Sequence, residues 1–397
     1  MDTLSTRRAT LFIMALFFLQ PTVFGAWLAM IPHVKTTLEL SKSQLALALL
    51  GMPLALIPTL QVASRIVARL GPRRAFFYML PVQAAVMLLP LFAPNLPALF
   101  ASLAVIGVVV AFLQVSLNTY AGRLEKAADV MVMSRCHGFW ALGVSVGSFL
   151  ATLLFGAGPV LAVLTVGAIS ALAGMFAAPR LPRLLGQDEG PAPRPQRLSQ
   201  MPRALFVISI FVLAVSLVEG AMSDWAAIYL ADRWGSGADE AGIAVTIFSG
   251  FLAAGRFMGD GLKRRMGARG AARLTVGLAL LGLLSLTGPM ALPFVFAGFA
   301  LIGLGASIAF PLGVSAAAAL DDAHEAQNIA TMSMIAISGL LIGPPLIGFL
   351  SEAVGLRFAL MALAPGLFLS LVLTGVFPTR KPRGTGGAAA PVSEAPL

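Results

Sequence analysis

The chain has 397 residues, of which 58% are hydrophobic and only 11% charged. An ordinary soluble domain carries about 25% charged residues, so the composition excludes a water-solvated fold and describes an integral membrane protein. The formal net charge of +10 must be placed along the chain before it implies any partner, and a single cysteine, Cys136, excludes an intramolecular disulfide framework.

A helix needs about 20 apolar residues to cross a bilayer. Twelve such runs follow one another, at roughly 9–33, 43–68, 75–93, 97–120, 131–155, 158–178, 204–230, 240–262, 271–290, 293–318, 327–351 and 356–378. Pro21, Pro53, Pro58, Pro311, Pro344 and Pro345 fall inside these runs, which suits bent membrane helices better than soluble ones. Two segments lack membrane character. Residues 179–203 are Pro-rich and charged and read as a linker; residues 379–397 read as a disordered tail of small and polar residues. The expected organisation is thus an N-terminal six-helix bundle over 1–178, a cytoplasmic linker over 179–203, a C-terminal six-helix bundle over 204–378 and a cytoplasmic tail over 379–397.

The basic residues orient the chain. With the N-terminus inside, only Lys35, Lys42, Arg233 and Arg357 fall outside, and Arg135 and Arg256 lie within spans; the other 21 of the 27 Lys and Arg are cytoplasmic. That bias places both termini in the cytoplasm of a cell membrane, the inner membrane if the source is bacterial. It also assigns the charge to topology and membrane lipid rather than to nucleic acid. Arg7-Arg8 before an apolar run loosely matches a twin-arginine export signal, but the run is too long and is followed by eleven more spans, which makes it an uncleaved first helix.

Several chemistries are excluded. There is no CxxC, HExxH or G-x-x-x-x-G-K-[ST], and His33, His137 and His324 are far apart in sequence, so no metal, nucleotide or other cofactor is expected. "GVSVG" at 143–147 matches a hydrolase pattern without its strand–turn–helix context, and small residues four apart favour close helix packing. The chain reads as no enzyme. A membrane sensor would need an appended signalling domain, whereas the tail is short.

The halves repeat. "RLGPRRA" (69–75) and "RMGARGA" (265–271) lie 196 residues apart, as do Gly143-x-x-x-Gly147 and Gly339-x-x-x-Gly343; "GVVVAFLQ" (107–114) and "GASIAFPL" (305–312) are 198 apart. Two six-helix groups, a linker and a repeated basic turn between the second and third helices resemble the major facilitator superfamily of secondary transporters over nearly the whole chain. The resemblance implies an all-α membrane fold of twelve helices in two pseudo-symmetric bundles, with a solute cavity between them that opens alternately to each side. In the family's signature for the basic turn an Asp precedes the Arg; here Ala68 takes that place while Arg69, Gly71, Arg73 and Arg74 remain. Arg69 and Arg73 are accordingly gating candidates in a departed motif.

"LVEGAMSDWAAIYL" (217–230) puts Glu219 and Asp224 inside an apolar run. An intramembrane acid is costly, and is paired, protonated or functional. Five residues rotate a helix by roughly 140°, so the two do not share a face. Glu219, nearest the centre, is the proton-coupling candidate; Asp224, expected nearer the outer surface, and Trp225 are solute-binding candidates. For each acid the alternative is a structural carboxylate satisfied by neighbouring groups, and for Trp225 a packing role. Gln114 and Asn118, four apart on one face, suit the hydroxyls of a sugar or polyol or bond neighbouring helices; Gln20 before Pro21 joins them or braces the bend. In "SRCHGFWALG" (134–143) His137 is a proton-relay candidate or a helix-interface group, Trp140 one turn on is a solute-binding candidate, and Arg135 pairs with Glu125. Arg256 and Asp260, four apart, are expected to pair as an inner latch; a cavity-facing Arg256 is the other reading. "QVSLN", "SRCHGFWALG" and "EGAMSDWAAIYL" together are similar to a branch of that superfamily that includes a rhizopine-transport protein and lies near the fucose permeases, which implies a sugar-, polyol- or inositol-like solute. The drug-antiporter branch carries a Gly-Pro pair in its fifth helix, where Gly147 here is followed by Ser148. The expectation is a monomeric carrier of a small polar solute, with or without proton coupling; efflux of an amphipathic compound is the alternative.

Overall fold

The computed structural model describes residues 3–184, 201–235, 237–288, 291–321 and 324–378. The expected disordered tail at 379–397 and most of the linker lie outside these residues. Among the described residues, eleven helical segments are long and apolar enough to cross a membrane. They are α1 (Thr3–Thr37), α2 (Lys42–Leu70), α3 (Pro72–Phe92), α4 (Leu96–Ala128), α5 (Met133–Ala157), α6 (Pro159–Arg180), α7 (Arg203–Trp234), a segment Ile243–Thr287, then α10 (Leu292–Ala318), α11 (Gln327–Val354) and α12 (Leu356–Val376). The segment Ile243–Thr287 has 45 residues, about 68 Å if straight, more than twice the apolar thickness of a bilayer. It turns back at Gly267, whose φ of 75° and ψ of 167° break the helix, and so supplies two spans, α8 (243–266) and α9 (268–287). Twelve crossings result.

Local sequence sets the turns. Gly71 (φ 84°) and Gly158 (φ 114°) end helices in backbone regions that residues with a Cβ avoid, and Pro72 and Pro159 open the next helices with φ already set. Ser41 caps α2 with a capping box to Gln44, and Asn95 caps α4 by accepting from the Ala98 N–H at 3.0 Å. Glu125 Oε1 accepts from the Val132 and Met133 N–H groups at 2.6 and 2.8 Å. The carboxylate therefore caps α5 rather than pairing with Arg135, whose guanidinium reaches the Met131 carbonyl instead.

The repeat read from the sequence recurs in the contacts. Gly143 and Gly147 of α5 press on the carbonyls of Phe18 and Thr22 in α1, and Gly339 and Gly343 of α11 press on those of Leu213 and Leu217 in α7. Gly25 meets the Val144 carbonyl, and 195 residues later Gly220 meets that of Leu340. A Cβ at any of these glycines would fall within 3 Å of backbone, so the small residues set how closely the helices approach. The basic turns repeat as well. Arg73 donates to the Pro179 carbonyl at the end of α6, and Arg269 donates to the carbonyls of Gly375 and Phe377 at the end of α12 at 2.5 and 2.9 Å. Arg73 and Arg269, like Pro179 and Gly375, are 196 residues apart.

The basic turns define one face of the molecule, called here the basic face. On the opposite, far face the bundles are tied together: Lys42 Nζ lies 2.8 Å from Asp232 Oδ2, and the Ser43 N–H donates to Glu352 Oε2 at 3.2 Å. Deeper in, α5 and α8 join through Ser145 Oγ donating to the Thr246 carbonyl and Ser148 Oγ to the Gly242 carbonyl, both at 2.8 Å.

Candidate functional site

Beneath those far-face ties, α1, α2, α4 and α5 of one half face α7, α8 and α11 of the other around a cavity of about 160 Å³, measured as room for the centres of water-sized molecules. Its walls are apolar and aromatic, with Phe24, Trp27, Met52, Trp140, Phe248 and the Pro344-Pro345 pair among them. Four side chains supply its polarity: Glu219, Ser223, Asp224 and Ser249. All four come from α7 and α8; on the facing wall Trp27 and Trp140 carry indole N–H donors.

Each polar group is set by its helix. Glu219 Oε1 accepts from Arg256 Nη2 at 2.8 Å, with side chains only 17% and 12% exposed. The same guanidinium donates from Nη1 to the His137 carbonyl at 3.2 Å, across to α5. Arg256 thus bridges the halves near mid-membrane. Ser223, one turn beyond Glu219, donates to the Glu219 carbonyl at 2.9 Å, and Ser249 donates to the Val245 carbonyl at 2.5 Å. Their hydrogens are committed to backbone, so both hydroxyls offer lone pairs to the cavity. Asp224 makes no hydrogen bond or ion pair with another described residue and is half-buried. The polar wall is therefore rich in acceptors: the Asp224 carboxyl, the second carboxylate oxygen of Glu219 and two hydroxyl oxygens.

Several sequence expectations are relocated. Asp260 is exposed and Arg256 does not pair with it; the tertiary neighbour on α7 outcompetes the i, i+4 neighbour on its own helix. Trp225 is fully buried, with its Nε1–H donated to the Pro344 carbonyl at 2.8 Å. It braces the bend where two successive prolines remove helical donors and does not line the cavity. Gln114 and Asn118 share a face as expected, but Asn118 Nδ2 donates to the Gln114 carbonyl on its own helix at 2.9 Å, and neither lines the cavity. They sit roughly 16 Å and 22 Å further along α4 than Leu103, the α4 residue that does. Gln20 is buried in α1 away from the cavity. The His137 ring packs edge-on against Phe17, centroids 5.5 Å apart, and only its carbonyl joins the Arg256 network. Arg69 is exposed, and Arg73 binds α6 of its own half rather than the opposite bundle. Glu219, Asp224 and Trp140 do line the cavity. Sequence reading missed Trp27, Ser223 and Ser249. Ser249 lies two helical turns before Arg256 and Ser223 one turn after Glu219, so helical spacing from the two charges would have found both.

Twelve crossings around a central, partly charged cavity define a multi-pass membrane transporter. The family comparison agrees: the model of the Major Facilitator Superfamily matches residues 11–292 and 225–396. The chain belongs to the Major Facilitator Superfamily. It is 29% identical over 360 residues, 90% of this chain and 94% of the other, to the uncharacterized transporter y4wD of Sinorhizobium fredii. It is 27% identical over 348 residues, 87% and 84% of the two chains, to the membrane protein MosC of Rhizobium meliloti. Among solved structures, the nucleoside transporter NupG matches with a TM-score of 0.71 at 14% identity, covering 94% of this chain and all of that one. The E. coli fucose:proton symporter FucP matches with a TM-score of 0.59 at 16% identity over 92% and 97% of the chains. At such identities these likenesses describe the fold alone.

Proposed function

We propose that this transporter carries a small solute rich in hydrogen-bond donors, a polyol or sugar-like ring with an apolar face, by alternating access. The observation that carries this reading is the acceptor-rich polar wall opposite apolar and aromatic surfaces. Hydroxyls on the solute would donate to Asp224, Ser223, Ser249 and the second carboxylate oxygen of Glu219, while its apolar face rests on Trp27 or Trp140. An anionic solute would meet two carboxylates and is disfavoured. The far-face ties support a conformation closed on that side, so that the cavity exchanges with the cytoplasmic, basic side.

In this reading Glu219 is the coupling carboxylate. A proton on Glu219 removes the charge that holds Arg256, and the freed guanidinium is the one bonded across the halves to the His137 carbonyl. Protonation is thereby linked to an inter-bundle contact. Asp224, without a counter-charge, would hold the solute: an uncompensated intramembrane charge costs a few kcal/mol, and a donor-rich solute offsets it. A second reading, movement of an amphipathic cation, draws on the same bare carboxylate beside two tryptophans.

A thermal-shift screen of purified protein against sugars, cyclitols, organic amines and organic acids tests the solute class. Stabilisation by hydroxyl-rich compounds, lost in Asp224→Asn, supports the polyol reading; stabilisation by amines alone supports the second. Stabilisation by organic acids alone would overturn both. In proteoliposomes, Glu219→Gln is expected to abolish pH-driven accumulation while sparing solute exchange, and unchanged pH-driven uptake would remove Glu219 from the coupling role.

A further inference from the structure

A second concavity, remote from the solute cavity, opens on the basic face. It is lined by Leu4, Ser5 and Arg8 of α1, Arg73 of α3 and residues 179–183 beyond the end of α6, including Arg180 and Arg183. Four arginines line it, and among the described residues no acidic side chain does. None of the four arginines forms an ion pair with another described residue. The rim is held in place. Tyr120 donates its hydroxyl to the Pro182 carbonyl at 2.9 Å, Arg73 donates to the Pro179 carbonyl, and Leu181 is buried between them at 1% exposure. Arg180 is fixed by a 2.7 Å bond from Nη1 to the Phe176 carbonyl and stacks over the Phe176 ring.

Exposed apolar side chains adjoin this cluster on two helices. Leu4 and Leu11, seven residues apart on α1, are 77% and 61% exposed; Leu172 and Phe176, four apart on α6 and leading to Arg180, are 69% and 58% exposed. A ligand that satisfies both features has a phosphate-bearing anionic head and hydrocarbon chains.

We propose that the Arg8–Arg73–Arg180–Arg183 concavity is a binding site for the headgroup of an anionic phospholipid, whose chains lie along Leu4–Leu11 and Leu172–Phe176. Clustered guanidiniums at the headgroup level supply charge-assisted, bidentate bonds to phosphate oxygens. The chains add apolar contact that free phosphate lacks.

The full-length protein in zwitterionic detergent micelles, titrated with phosphatidylglycerol and followed by native mass spectrometry and thermal melting, tests this. Expected are discrete phosphatidylglycerol adducts and a higher melting temperature. Two guanidiniums at about fivefold each predict affinity weakened by roughly 25-fold in R8Q/R183Q. R7Q/R65Q removes the same net charge from exposed positions outside the concavity and is expected to bind as the unaltered protein does. Equal weakening in both variants would reduce the effect to overall charge and overturn the site, as would absence of adducts. An equal response to inorganic phosphate would overturn the lipid assignment. Phosphatidylglycerol binding that emerges only in D188N/E189Q would show the linker's own carboxylates in the concavity and would also overturn it.

Discussion

Replacing Glu219 by Gln leaves the Arg256 guanidinium without a counter-charge where both side chains are less than one-fifth exposed. With 2.8 Å between the bonded atoms, the charge centres lie roughly 4 Å apart and attract by about 4 kcal/mol at an effective dielectric constant of 20. Desolvation of both groups offsets much of that gain, so the intact pair is close to neutral, whereas removing one partner strands a buried charge at a cost of about 3–5 kcal/mol. Glu219→Gln and Arg256→Gln are therefore each expected to destabilise the protein by about 3 kcal/mol. The double variant, with two amides able to bond each other, is expected to recover about half of the summed loss, a coupling of about 3 kcal/mol. Denaturant unfolding in detergent, read by tryptophan fluorescence, gives the three differences. Strict additivity, with the double variant losing the full sum, would refute the argument: the two groups would then not be interacting in the folded protein.

Other substitutions probe the remaining features. Asp224→Asn is expected to leave stability unchanged or raised, since it removes an uncompensated charge. Solute affinity should fall by about tenfold to a hundredfold, equivalent to the 1.5–3 kcal/mol of a charged hydrogen bond, as measured by solute-dependent melting. Gly147→Val and Gly343→Val each drive a side chain into a facing carbonyl and are expected to lower stability by about 1–3 kcal/mol or more, with Ala at exposed Gly156 as the neutral control in the same melting assay. Lys42→Ala breaks a partly exposed ion pair worth at most about 1 kcal/mol. Its effect should appear as increased labelling of a cysteine placed at Trp27 from the far side, with little change in melting temperature.

The spans and the repeat were legible because both are written in one dimension. An apolar run announces a crossing, and the glycine spacings at 143–147 and 339–343 reappear as matched helix contacts. What failed were inferences that needed a partner from elsewhere in the chain. Helical spacing joins Arg256 to Asp260, but nothing local shows that α7 brings Glu219 closer. The Gln114–Asn118 face was read correctly as a face, yet periodicity does not say what a face looks toward. Trp225 beside Asp224 invited a shared role; adjacent residues on a helix point about 100° apart, and the indole turns into α11. Glu219 and Asp224 were visible because charge in an apolar run is costly wherever the fold places it.

The paired arginine ties also carry a consequence for how the chain is made. Arg73 and Arg269 find their acceptors more than a hundred residues downstream, at Pro179 and Gly375. During synthesis each basic turn therefore reaches the membrane surface long before the carbonyls that it will bind have left the ribosome. The guanidinium must wait in the headgroup layer, hydrated and paired with lipid phosphate, until the sixth helix of its own half arrives. Arrival of that helix is the event that fastens each half, so nascent chains halted between residues 273 and 375 would present one fastened half and one open half to the cell's membrane proteases.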